Sequence, residues 1–388
     1  GFKDILLFAP DLAKSNPFKS HPNAVLKVNS KISGKLNDFK IPNLELSGIG
    51  TTKIVASGRV TGLPDIQKTI LDLDLKNFES SAKDLNDFLP SGTIPNNIQL
   101  PAKFTVNGKF NGSINNFKTD LKLKSTSGNA TIKALFDRSR KNAERYDAIV
   151  NLDQFDLGRL LRNDSIGKIS LDAKVKGVGL IPETANATVA GKIKQAQFNG
   201  YNYRNLNLNG SIANGNFDAK ADMTDPNLTF KLATSGGFKD KYPAIKLKMN
   251  VDIADLDKLN LHAGPLKIKG NIVADVPTAD LDFLNGRIDF TSITFANEKE
   301  QIALDSIKIR AIATAEKNTI MLQSQFANAN IDWQFKLSEI GIALQNSIAK
   351  YFDSKPTAKK IKTGDQNLAF KINIKDDPIL QKVIPNLT

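Results

Sequence analysis

The chain has 388 residues and a net charge of +13, with one Trp, two His and no Cys. Without cysteine there is no disulfide framework and no thiolate metal site, and two histidines leave little for an imidazole centre. The length suffices for a sizeable core, yet aromatic content is 7%, nearly all of it Phe.

The chain opens with FKDILLFAPDLAKSNPF. Its apolar run ILLF (5–8) is too short for a transmembrane helix or the core of a signal peptide, and no later segment reaches the roughly 18–20 apolar residues a span requires. The start at Gly1 and the ending KVIPNLT read as an excerpt of a longer protein. His21, in SHPN, and His262, in NLHAG, sit in turn contexts where a lone histidine is solvated.

From there strand-like alternation runs almost end to end, punctuated by Gly, Asn and Pro. A longer period lies inside it. SGKLNDFK (33–40) returns as NGSINNFK (111–118), which sets Gly34 over Gly112, an offset of 78, and at that offset Ile54 falls on Ile132. A second element, LKNF (75–78), LDQF (152–155) and IADL (253–256), ends a strand three times. Each copy precedes a helix-compatible run, SAKDLNDFL, DLGRLLRND or DLDKLN, and then a fresh strand. Asp72 and Asp74 form a D-x-D that could hold a cation with a phosphate, but in an alternating strand the same spacing is the wet face. GIG (48–50) and GVG (177–179) lack the third glycine and following helix of a nucleotide fingerprint.

NLNLNGSIANGNFDAKADMTDPNLTFKLATSG (205–236) writes three strands with turns at Asn214-Gly215 and Asp225-Pro226-Asn227. Its apolar positions are Leu206, Leu208 and Ile212, then Phe217 and Met223, then Leu228, Phe230 and Leu232. The pattern continues through Leu247, Met249 and Val251 to Leu266 and Ile268. These residues form the candidate apolar face. The lysines of LKLKS, KLKMN, LKIKG and KINIK alternate with apolar residues along the whole chain, so they belong to polar strand faces. A nucleic-acid site calls instead for a clustered basic patch with interleaved aromatics, and no nucleic acid is expected as a partner.

One segment breaks the rhythm. LSEIGIALQNSIAKYFD (337–353) puts Ile340, Leu344, Ile348 and Phe352 at helical spacing, with Ser338 as N-cap and Pro356 as stop. The expected organisation is therefore a repeated β segment over 1–336, an amphipathic helix over 337–353 that plugs or lids the sheet, and a basic linker leading into another β segment over 354–388. No metal, no cofactor and no enzymatic activity are expected, since no set of catalytic groups converges. A sheet with one apolar face must cover it. Either the strands close into a sandwich or barrel, or they curl into an open trough whose apolar face takes a ligand.

The combination of GLPDIQKTILDLDLKNFESSAKDLNDFLP (62–90), FDLGRLLRNDSIGKISLDAKVKGVGL, FNGYNYRNLNLNG (198–210) and the SEIGIALQNSIAKYF helix resembles the TamB family of the AsmA-like superfamily, in its Bacteroidota form, over essentially the whole chain. The resemblance implies an elongated U-shaped curled sheet, or β-taco, with an open apolar groove. It implies a periplasmic bridge between inner and outer membranes that carries phospholipid acyl chains and assists outer-membrane protein assembly. Its partners would be phospholipid, with the inner membrane and an Omp85-class outer-membrane barrel engaged through regions outside this chain. The alternative is a structural or chaperone scaffold spanning the periplasm without lipid transfer.

Overall fold

The computed structural model describes residues 1, 3, 18, 23–89, 94–238, 240–339 and 367–377. Among the described residues the fold is all-β, every strand pairing is antiparallel, and helices are few and short. The chain divides into two compact units, Gly1–Asn209 and Gly210–Thr388.

The first unit carries β1 (Lys27–Lys35), β2 (Asp38–Ile49), β3 (Thr52–Thr61), β4 (Ile70–Ser81), β5 (Lys103–Gly112), β6 (Asn116–Ser125), β7 (Gly128–Asp137), β8 (Arg145–Asp156), β9 (Ile166–Val178) and β10 (Asn186–Phe198). Helices α1 (Ala82–Phe88) and α2 (Leu157–Leu161) follow β4 and β8. Strand β11 (Tyr201–Ala213) runs through the division between the units. The second unit carries β12 (Asn216–Asp225), β13 (Leu228–Gly237), β14 (Ala244–Asp255), β15 (Lys267–Thr278), β16 (Asn285–Ala296), β17 (Gln301–Ala313), β18 (Asn318–Ser324), β19 (Ala327–Trp333) and β20 (Leu368–Ile374). Each described pairing within a unit joins strands consecutive in the chain, so both units are meanders. The Asn-Gly turn expected at 214–215 forms, with both residues at left-handed φ (47° and 76°), the geometry that matches strand twist in a tight hairpin.

The repeats have structural causes. Gly34 and Gly112 sit at φ +126° and +127° and pair with Phe39 and Phe117. A Cβ there would fall 2.9 Å and 2.7 Å from the Cα of those residues, so each hairpin requires glycine. The match of Ile54 to Ile132 does not hold. Ala56 pairs with Leu75 and Ala130 with Leu152, so the alanines occupy equivalent positions and the offset has shortened within the strand.

LKNF and LDQF mark β-bulges: Leu75 pairs with Gly108 and Phe78 with Val106, and Leu152 with Leu171 and Phe155 with Ile169. The extra residue puts two side chains three apart on the same face and bends the strand. The third bulge falls between Val251 and Ala254 rather than at IADL, so the true repeat unit is VDIA (251–254) and its offset from LDQF is 99, not 101. After the bulges Asp156 and Asp255 play the same part. Their N–H groups donate to the Ser127 and Asn227 carbonyls at 2.6 and 2.8 Å, and their carboxylates accept from the N–H of Arg159 and Lys258. The expected helices form as α1 and α2, but DLDKLN makes a single turn, stopped by Asn260 at φ 59°. That turn buries Leu259 to 1% exposure.

A buried polar knot ties α1 to the β2–β3 turn. Asp84 accepts from the Thr51 N–H at 2.8 Å and from the Thr51 hydroxyl at 2.7 Å, and the hydroxyls of Thr52 and Ser80 lie 2.8 Å apart. Burial works against the charged form, but donors from Thr51, Ser81 and Thr52 together outweigh it and hold the Asp84 carboxyl below its ordinary value. Replacing Asp84 with Ala strands these donors and is expected to cost about 1–3 kcal/mol at neutral pH. A depressed carboxyl stabilises the fold above the ordinary carboxylate range and loses that contribution as pH falls through the folded value. The gap between wild type and Asp84→Ala in urea unfolding should therefore narrow in acid, and a gap that stays constant with pH would show that the charge plays no part.

Candidate functional site: an apolar sheet face

Antiparallel partners share a face, so the register of each hairpin decides which side chains meet. In the second unit Phe217, Ala219, Ala221 and Met223 of β12 lie opposite Gly236, Thr234, Leu232 and Phe230 of β13. Phe230 and Leu232 in turn face Val251 and Met249, and Leu247 faces Ala274. Leu228 and Ile268 both pair with Ala254, beyond the bulge. The sequence-predicted positions Phe217, Met223, Leu228, Phe230, Leu232, Leu247, Met249, Val251 and Ile268 thus share one face. Leu266 lies one residue before β15, half-buried, with its carbonyl accepting from Leu256 N–H at 2.8 Å. Leu206, Leu208 and Ile212 are half-buried along β11. Of the proposed lid, Ile340, Leu344, Ile348 and Phe352 lie outside the described residues. Ser338, expected as its N-cap, is in a 3₁₀ turn (Leu337–Glu339) and donates through N–H and hydroxyl to Asp282 at 2.9 and 2.7 Å.

Sequence reasoning missed most of the face. In the first unit one cross-strand row reads Val28, Leu46, Ile54, Phe78, Val106, Leu123, Ala130, Leu152, Leu171, Ile193, one residue from each of β1 to β10 and every one apolar. In the second unit the row Ala219, Thr234, Leu247, Ala274, Ile288, Ile309, Leu322, Ala329, Ile372 crosses β12 to β20 with Thr234 its single polar member. The signal for these residues was present in the same alternation, in LKLKS and IKIR for instance. Which strands lie side by side was not.

Burial is uneven across the face. In the second unit Met223, Leu259, Ile293 and Leu304 are buried toward the strand ends that carry the 256–264 turn, and Trp333 is buried at the opposite end, the last residue of β19. In the first unit Ile49, Phe104 and Phe155 lie toward the ends that carry α1 and α2. Between the edges the row residues are mostly half-buried, touched on each side by the next strand but not roofed. Packing between elements in each unit is strand on adjacent strand, with α1 against β4 and α2 against β9. Among the described residues of either unit, no second layer covers the middle of the face.

The opposite face is charged. Arg59 clamps Asp38 through Nε and Nη2 at 2.7 and 2.6 Å, and Lys76 meets Asp74 and Lys194 meets Asp172 at 2.7 Å each. Their hydrogen bonds hold the carboxyls of Asp38, Asp74 and Asp172 below the ordinary value. Asp74 of the D-x-D is thus occupied by Lys76, and Asp72 lies opposite Arg59. Among the described residues no group of three or more His, Asp or Glu is arranged to hold a metal ion. His262 is exposed, with Nδ1 3.1 Å from the Gly264 carbonyl oxygen.

Comparison with protein-family models, with curated proteins and with solved structures finds no match to this chain. The site is therefore read from its own geometry, an apolar surface many strands wide that protein leaves half covered.

Half-burial has a measurable consequence. Leu259→Ala empties a fully enclosed position and is expected to cost about 2–5 kcal/mol, whereas Leu247→Ala, on the open part of the face, is expected to cost about 1 kcal/mol. Urea unfolding of the two variants distinguishes them, and equal losses would mean that the face is roofed in solution.

Proposed function

We propose that the apolar faces bind and conduct lipid acyl chains, in a periplasmic protein that carries phospholipid between membranes and acts without catalysis. The observation that carries the reading is the row from Val28 to Ile193, apolar in ten successive strands and half-buried along most of its length. An unbroken face is what a conduit needs, whereas a closed rod or a purely structural spacer can interrupt its interior with polar ladders. The resemblance to the TamB family supports the same reading, with the sheet curled into an open U around the chains and outer-membrane assembly as an associated role. On that reading the membranes and an Omp85-class barrel are engaged by regions beyond this chain.

The energetics suit a sliding ligand. A strand of about 8 residues spans roughly 26 Å at ~3.3 Å per residue, comparable to an acyl chain. Each methylene withdrawn from water contributes about 0.8 kcal/mol, so a chain of ~14 methylenes gains up to ~11 kcal/mol before ordering costs. Aliphatic contact is non-directional, so lipid held this way still moves along the row.

Mass spectrometry of the gently purified protein is expected to find phospholipid, loosely stoichiometric and weakly selective for headgroup. Leu228→Asp and Phe230→Asp are expected to keep near-wild-type circular dichroism, because the carboxylate can reach water on an open face. Both should lose lipid transfer, since a charge in an apolar path costs roughly 2.5–3.5 kcal/mol on membrane-insertion scales. A folded, monodisperse and reproducibly lipid-free protein would favour the scaffold reading. Global unfolding of both variants would indicate a closed core.

A further inference from the structure

The polar side of the second unit carries a concavity that the apolar face does not use. Over β17–β20 lies a cavity of about 350 Å³, within the size range of small-ligand sites. Strand parity explains its lining. Lys308 pairs with Gln323 and Gln323 with Asn328, while Arg310 pairs with Met321. Lys371 stands on β20, three strand spacings from β17, about 14 Å at ~4.8 Å per spacing. The walls are thus cationic, and the floor carries carboxamides and one thioether, with Leu322 and Ala329 between them along β18 and β19.

Two observations show what it lacks. Arg310 is committed, donating from Nη1 to Asp289 at 2.7 Å and to the Ile309 carbonyl at 2.9 Å. Lys308 and Lys371 have no ion-pair partner among the described residues and both line the cavity, Lys308 in the cross-strand row of Gln323 and Asn328 with Asp289 opposite it on β16, and Lys371 in the row of Arg310, Met321 and Asn330. On the floor, the Oδ1 of Asn328 is buried and accepts no hydrogen bond. A buried acceptor without a donor is uncommon enough to need a cause. The site therefore calls for an anion between two ammonium groups and, beside it, a donor for Asn328. A tetrahedral phosphate offers oxygens to ammonium groups approaching from opposite sides, whereas a planar carboxylate is best matched by a single guanidinium fork.

We propose that this cavity binds a phosphorylated polyol, a phosphate with adjacent hydroxyl groups, as found in a sugar phosphate or a phosphoglycerol headgroup. The phosphate sits between Lys308 and Lys371, a hydroxyl donates to Asn328 Oδ1, and the Gln323 amide meets a second hydroxyl. The site lies on the opposite face of the sheet from the acyl-chain surface and does not depend on that function.

Titration calorimetry of the whole chain with glucose 1-phosphate, inorganic phosphate and glucose tests the proposal, alongside co-sedimentation with phosphatidylglycerol and phosphatidylcholine vesicles. Glucose 1-phosphate is expected to bind saturably. Lys308→Gln and Lys371→Gln are each expected to weaken it about tenfold or more, the loss of one charge-assisted hydrogen bond. Asn328→Ala should weaken glucose 1-phosphate but leave inorganic phosphate unchanged, and Lys248→Gln, on the same polar face outside the cavity, should change neither. All variants should retain wild-type circular dichroism. Binding to phosphatidylglycerol vesicles that Lys371→Gln abolishes, with none to phosphatidylcholine, assigns the ligand to a lipid headgroup, and binding of the soluble ester alone assigns it to a free phosphate ester. An equal loss with Lys248→Gln would reduce the effect to diffuse charge and overturn the site. So would the absence of saturable binding to both glucose 1-phosphate and phosphatidylglycerol.

Discussion

The structure depends on pairing register. Because side chains alternate with a period of two, a slip of one residue in any hairpin would turn that strand's apolar set to water and its lysines inward. Ten strands in the first unit keep Val28 through Ile193 in one row only because each hairpin is correct to the residue. Gly34 and Gly112 hold two of those registers, since no other residue fits their φ and their distance from the facing strand. Bulges adjust the rest. By inserting one residue at Leu75–Phe78, Leu152–Phe155 and Val251–Ala254, they keep the apolar side chains on one face while the strand bends.

Bending exposes backbone groups at the strand ends, and the short caps satisfy them. Asp156 and Asp255 repeat one solution, a backbone donor to the neighbouring turn and a carboxylate that accepts from the first turn of the cap. Asp84 achieves the same end by accepting from the Thr51 N–H, with the Thr51 and Thr52 hydroxyls donating to the same carboxylate. The result is a division of labour along each strand. The capped ends contain most of the enclosed side chains and supply local stability, while the middle of the face stays laterally packed and open. An element that needed its whole face buried for stability could not also offer that face to a ligand.

The polar face meets a different requirement. Lysines and aspartates alternate with the apolar set, and the ion pairs they form are largely exposed and contribute little each. Their value lies in solubility and in discouraging edge-to-edge association of a long sheet. Over β17–β20 the pattern departs from simple pairing. Charges stand apart around a carboxamide floor, and the polar surface acquires a shape as well as a sign.

The sequence by itself determined that the chain is built of strands and which side of many of them is apolar, because alternation is a local property, and it paired Gly34 with Gly112 without showing why glycine is required there. It also displayed the bulges, as L-x-x-F interrupting a period of two, although their meaning as extra residues is visible only against a partner strand. The displacement of the third repeat from IADL to VDIA illustrates the limit, since identity of letters cannot locate a bulge that register defines. Only the tertiary structure decided that the first unit's row extends from strand to strand without a polar break and the second unit's with Thr234 alone, and that no described element of either unit roofs their middle. It alone brought Lys308 and Lys371, 63 positions apart in the chain, to the rim of one cavity. Adjacency between strands is a long-range property, and periodicity within a strand carries no information about its neighbour.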